Sequence, residues 1–207
     1  MIPKQWCWLL LCMCSFLTAC VPESERPLSD PTTAQQDARL HGLWSVRLEN
    51  GDIQYVHIGV EPERPLDASR ETPEAGLMRF WLIGHNALNK QVGNPFGMRF
   101  FVTPVDDRMY ANLVLAKDEH KTAKPTVYWF LRYDVSGNEL SVWGMDFEAT
   151  AKVVEDKRLA GRVVRDGKEL KEVTITDTTE NVLRFLRSGG DEIVFPDSRK
   201  TVYRRVG

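Results

Sequence analysis

Residues 42–60 decide the fold and read GLWSVRLENGDIQYVHIGV. Segments 42–49 and 53–60 each alternate apolar and polar side chains, the period of a strand with one buried face. Between them stands Asn50-Gly51-Asp52, and Asn-Gly between two alternating runs is the strongest short-range hairpin signal. Working outward, the same texture recurs at 77–84 (LMRFWLIG), 98–105, 108–115, 126–135 (TVYWFLRYDV) and 139–143. Turn chemistry separates these runs at Asp106-Asp107 and Ser136-Gly137-Asn138. A Pro- and Glu-rich loop covers 61–76, and a polar loop runs through Asn94-Pro95. A strand meander this long twists and curls into a barrel.

The last third changes period. In 146–157 (DFEATAKVVEDK), Phe147, Ala151 and Val154 fall at helical spacing behind Asp146, a capping residue. Gly161 and Gly167 punctuate the next stretch, and 172–176 is a short strand. Asp177 or Thr178 caps a second helix over 179–187, which Gly189-Gly190 ends. Residues 201–206 form a terminal strand with a basic edge. The expectation is a mainly β fold, an antiparallel meander barrel of about 8–10 strands with two short helices in the C-terminal third. Several runs carry aromatics on both faces: Phe80 and Trp81, Phe100 and Phe101, Tyr128 with Trp129 and Phe130. A one-sided sheet alternates more cleanly. Either part of the outer wall is covered, with the two helices as the cover, or the interior faces a ligand while the outside binds something else.

The N-terminus has a different logic. Residues 6–19 are apolar apart from Ser15 and Thr18, and Lys4 precedes them. That is the length of a signal-peptide h-region and is short of the roughly 20 residues a spanning helix needs. Leu17-Thr18-Ala19-Cys20 resembles the lipobox of bacterial lipoproteins. The resemblance implies lipidation of Cys20 with cleavage before it. Val21, not Asp, follows the cysteine, which under the family's sorting rule implies the outer membrane facing the periplasm. All four cysteines, Cys7, Cys12, Cys14 and Cys20, lie in the first twenty residues, so a cleaved chain keeps only Cys20 and has no internal disulfide. Lipidation explains that leftover cysteine, since each buried methylene adds about 0.8 kcal/mol of membrane affinity. The expected organisation is a signal peptide at 1–19, a lipidated Cys20 with a flexible tether to 39, and a barrel domain at 40–207. Three prolines and no apolar periodicity in 21–39 predict a disordered spacer, about 25 Å in mean reach.

Trimming 19 residues from 207 leaves 188, with 26 basic against 29 acidic side chains once Lys4 is gone. A net charge of −3 offers nothing to nucleic acid, which binds basic stripes, and the length suits one domain.

Gly42-Leu43-Trp44 on the first strand, with Arg204 and Arg205 in the last, is similar to the lipocalin (calycin) arrangement. There an arginine from the chain's end packs over the first-strand indole and closes the barrel. Arginine over an indole face is worth roughly 0.5–2 kcal/mol. The resemblance implies a cup for a small apolar or amphipathic ligand, as in lipocalin-like domains of bacterial envelope proteins. The chain departs from the family where Thr176-Asp177 lacks a following aromatic, and where a helix interrupts the meander.

No Gly-x-Ser-x-Gly elbow, phosphate-cradling loop or His-Glu-x-x-His motif occurs, so no catalytic residue, metal ligand or cofactor is assigned. Asp118-Glu119-His120 is the single acidic–His cluster, and its Lys-rich surroundings suit a solvated turn. Tyr55 and His57 share a strand face and either line a cavity or serve structure. Arg79, Arg99 and Arg132, like Arg47, interrupt apolar runs. They either hold a ligand carboxylate inside the barrel or lie on its solvated outside. Three functions are expected in this order: a non-enzymatic, membrane-anchored ligand-binding barrel; an assembly module docking an envelope protein; an envelope hydrolase.

Overall fold

The computed structural model describes residues 21–60, 76–115 and 126–207, and its strands form one continuous sheet. The first strands are β1 (Glu23–Ser24), β2 (Gly42–Arg47), β3 (Ile53–Val60), β4 (Met78–His85), β5 (Phe96–Val105) and β6 (Arg108–Leu115). Then come β7 (Val127–Ser136), β8 (Glu139–Gly144), helix α1 (Phe147–Glu155), β9 (Gly161–Asp166) and β10 (Glu169–Ile175). The chain ends with α2 (Thr179–Phe185), α3 (Asp191–Val194) and β11 (Lys200–Arg205). Strands β2 to β8 are an antiparallel meander, and β11 pairs with both β8 and β2, closing an eight-stranded barrel. Outside the ring, β9 and β10 form a hairpin, and β1 joins it to β7, parallel to β10 and antiparallel to β7.

Because side chains alternate along a strand, the barrel wall separates two cores. Inward-facing Trp44, Val56, Ile58, Phe100, Leu113 and Leu140 fill one. Outward-facing Val105, Tyr110 and Phe130 belong to the other, where Val153, Phe185, Val194 and Phe195 from the helical third pack on them. Phe100 to Thr103 and Tyr110 to Asn112 are therefore buried without interruption. Phe100 with Phe101 and Trp129 with Phe130 mark the part of the wall covered on both faces, with the helices part of the cover, whereas Trp81 beside Phe80 is exposed.

Helix α1 starts where the carboxylate of Asp146 accepts the N–H of Ala149 at 2.9 Å. Thr178 caps α2 through Asn181 N–H. The second helix ends at Gly189, as expected: Ser188 and Gly189 leave helical geometry, Gly189 with φ 88°, and a separate short helix, α3, follows. Strand β9 lies where the sequence shows only punctuation, because its Val163 and Val164 are too few to display a period.

The flexible tether is corrected. Residues 21–40 lie on the barrel as a strap, with Leu28 1% exposed. Backbone and small polar groups bind it, which explains why no hydrophobic period announces it. Leu28 N–H donates to Asn112 Oδ1 at 2.8 Å, the Ser29 and Thr103 hydroxyls meet at 2.6 Å, and Thr179 Oγ1 donates to Pro27 O at 2.7 Å. Asn112 is fully buried and also donates to Thr103 Oγ1 at 2.8 Å. Replacing Asn112 with Ala leaves the Leu28 amide and the Thr103 hydroxyl short of a partner. A loss of about 1–3 kcal/mol in urea unfolding, with new proteolysis within 25–36, is the expected outcome. An unchanged midpoint and a resistant strap would contradict it.

Candidate functional site

The barrel interior is not completely filled. A cavity of about 160 Å³ lies among side chains from β3, β4, β5, β6, β7, β8 and β11, including Ile58, Phe80, Phe100, Ala111, Leu131 and Val142. Its polar groups are the phenols of Tyr133 and Tyr203. The Tyr133 hydroxyl donates to Asp37 Oδ2 at 2.9 Å, and that of Tyr203 reaches Gln54 Oε1 at 3.4 Å. Burial, with the Asp37 carboxylate nearby, holds the Tyr133 phenol well above the usual value, and burial raises Tyr203 too. Both are neutral hydroxyls at physiological pH. Burial works against ionised Asp37, but hydrogen bonds from Arg39 and Tyr133 outweigh it and keep its pKa below the usual value. Trp129 shares the inward face with Leu131 and Tyr133, and its indole N–H is buried without a hydrogen-bond partner.

At the end of the barrel where β2 meets β11, Arg205 stands opposite Trp44 with its guanidinium carbon 4.1 Å from the ring centroid. Trp44 is fully buried, and its N–H donates to Leu40 O at 2.8 Å. The guanidinium donates to the carbonyls of His41 and, at 2.7 Å, Arg39. Gly42 makes room: its φ is 127°, and a Cβ there would lie 2.7 Å from an Arg205 nitrogen. Arg204 falls on the other face and pairs with Glu139 at 3.0 Å. Strand alternation thus divides the two arginines, one for closure and one for the surface.

The residues read from sequence as candidate ligand contacts are corrected. Tyr55, His57, Arg79, Arg99 and Arg132 all point outward, because Val56, Ile58, Phe80, Phe100 and Leu131 beside them point into the cavity. Register supplies the missing signal. Once Trp44 is inward, its partner Val56 is inward too, and Tyr55 and His57 must lie outside. Arg79 stands opposite Arg99 on the outer wall. Tyr133 went unread as a site residue because its run carries aromatics on both faces, and Tyr203 because it stands alone in a short basic strand. The lipobox residues Leu17, Thr18, Ala19 and Cys20, and Asp118-Glu119-His120, lie outside the described residues.

Arg132 instead belongs to an ionic cluster on the outer wall. Asp191, at the start of α3, is fully buried and pairs with both Arg108 and Arg132. Tyr110 donates to its other oxygen at 2.6 Å, and burial pushes that phenol up to about 12. The Arg132 guanidinium lies 4.2 Å from the Trp143 ring centroid. The cluster fixes the helical third to the barrel and has no opening to the interior cavity. Among the described residues, no three His, Cys, Asp or Glu side chains converge as a metal site. No family model, curated protein or solved structure matches this chain.

Asp191→Asn leaves two arginines facing an uncharged amide. Breaking a buried pair on one side costs about 3–5 kcal/mol, so the urea midpoint should fall steeply with the slope unchanged. A shift worth less than about 1 kcal/mol, the scale of an exposed pair, would show that the cluster does not hold the two layers together.

Proposed function

We propose that this protein is a lipid-anchored bacterial envelope lipoprotein, and that its barrel is a non-enzymatic receptor for a small, largely apolar molecule. The carrying observation is the cavity of about 160 Å³. Its lining is hydrocarbon except for two neutral phenols. An engineered apolar cavity of about 150 Å³ stays dry and takes up benzene or xenon, whereas drug-sized ligands fill roughly 300–1,000 Å³. The ligand is therefore a compact molecule or one short apolar end of an amphiphile. Neutral, hydrogen-bonded phenols supply neither a nucleophile nor a base at neutral pH, which favours binding over hydrolysis.

The anchor reading draws on Leu17-Thr18-Ala19-Cys20 and on Cys20 as the sole cysteine after cleavage. The strap changes its consequence. Only Val21 and Pro22 separate Cys20 from β1, at most ~11 Å of extended chain. A lipid on Cys20 therefore holds the domain against the membrane, with no long spacer.

Ethylbenzene and acetophenone are compact probes of nearly the same shape. Both should raise the melting temperature of the full chain, the stabilisation reaching about 2.7 kcal/mol at a hundredfold excess over Kd. Ala111→Leu, which fills the cavity, should abolish both effects. Absence of any shift with either compound would refute the receptor reading. For the anchor, membrane-extracted protein should carry the mass of acyl chains that Cys20→Ser lacks; an unmodified N-terminus at Cys20 would refute it.

A further inference from the structure

Ten large apolar side chains are exposed among the described residues, and five of them, Trp81, Ile83, Leu88, Val92 and Phe96, belong to β4, β5 and the loop between them. Leu88 is 92% exposed and Val92 67%. Scattered exposed apolar residues are ordinary, but a cluster marks an interaction surface. The loop has a defined shape. His85 and Val92 form a bridge, Asn86 N–H donates to Gln91 O at 2.9 Å, and Asn86 Oδ1 accepts from Leu88 and Asn89 at 3.0 Å. Trp81 lies over Gly97, where a Cβ would come within 2.6 Å of the indole.

The charge of this hairpin points to a partner. The chain has 29 acidic residues in 207, yet none falls between Glu74 and Asp106, while Arg79, Lys90 and Arg99 do. The carboxylate that reaches the loop from β2–β3 is Asp52, already engaged by Ala87 N–H at 2.8 Å and the Asn50 amide at 3.0 Å. Arg79 lies 5.6 Å from the Trp81 ring centroid, an aromatic–cation pairing suited to a membrane–water boundary. A second copy of the same hairpin would set cations against cations. An anionic bilayer instead supplies phosphates for Lys90 and Arg99 and hydrocarbon for Leu88, Val92 and Phe96. The surface also connects to the cavity: Phe96 packs on Phe80 and Phe80 on Phe100, each at 6.2 Å, and the last two line it.

We propose that the β4–β5 hairpin is the membrane-docking surface of this protein. It lies in the headgroup layer of an anionic bilayer and brings the Phe96 side of the barrel to the lipid, from which the cavity is loaded. This rests on the lipid-anchored reading, in which a leash of ~11 Å keeps the domain at the bilayer, and it specifies which surface makes contact.

The test is hydrogen–deuterium exchange on the full chain extracted from membranes, in excess vesicles of phosphatidylcholine alone or mixed with phosphatidylglycerol. Amides of 86–96 should slow at least about fivefold on anionic vesicles, the scale of one basic residue at such a surface. They should slow much less on phosphatidylcholine. Leu88→Asp with Val92→Asp should lose the effect while β6 and β7 exchange as before. Unchanged exchange, equal slowing on both vesicles, or slowing that follows protein rather than lipid concentration would overturn the assignment. The last result would point to a second copy. Intact mass of the same sample reads Cys20 acylation, and the lipid excess reports hairpin contact with or without it, so the two readings fail separately.

Discussion

The outer face of β5, β6 and β7 cannot be left in water, and most of the structure is a consequence of that. Phe101, Tyr110 and Phe130 are each at most 2% exposed on the convex side of a barrel wall, where a simple barrel would show polar side chains. Burying one such side chain contributes roughly 1.5–3 kcal/mol, enough to recruit a second layer. The helical third and the N-terminal strap are that layer. Its polar contacts are few and specific: Asn112 receives the strap, and Asp191 receives Arg108 and Arg132. A half-satisfied buried group is costly, so these contacts fix where each covering segment can sit.

With the wall held from outside, the interior need not be packed solid. Trp44 and Arg205 close one end, and aromatic and aliphatic side chains leave a compact apolar space among themselves. The division of labour is clear in the tyrosines. Tyr110 faces outward and bonds an anchoring carboxylate, whereas Tyr133 faces inward, where its ring lines the cavity and its hydroxyl is tied to the strap through Asp37. The strap thereby contacts both the covering layer and the cavity wall, so its order and the shape of the cavity are linked.

Much of the fold is legible in the sequence because local signals there agree with the global result. Asn50-Gly51, the alternating runs and Asp146 ahead of an apolar helical face all state their geometry locally. The strap is not legible, because proline and small polar residues that resemble a spacer can also lie extended along a sheet and bond it by backbone. The site is less legible still. Arg79, Arg99 and Arg132 interrupt apolar runs, but with both wall faces apolar nearby, period alone cannot say which side a residue takes. Pairing register resolves this, and register belongs to two strands at once: Trp44 fixes Val56, and Val56 fixes Leu82. The polar groups of the cavity are tyrosine hydroxyls, on residues that also build cores, so composition does not set them apart.

The central claim is that a wall buried on both faces encloses a dry apolar space. A crystal of the protein under xenon pressure tests it most directly. The account predicts one xenon atom in contact with Ile58, Phe80, Leu113 and Val142, and none in the outer layer around Phe130 and Phe195. An interior without xenon, occupied by ordered water or closed by side chains, would contradict it.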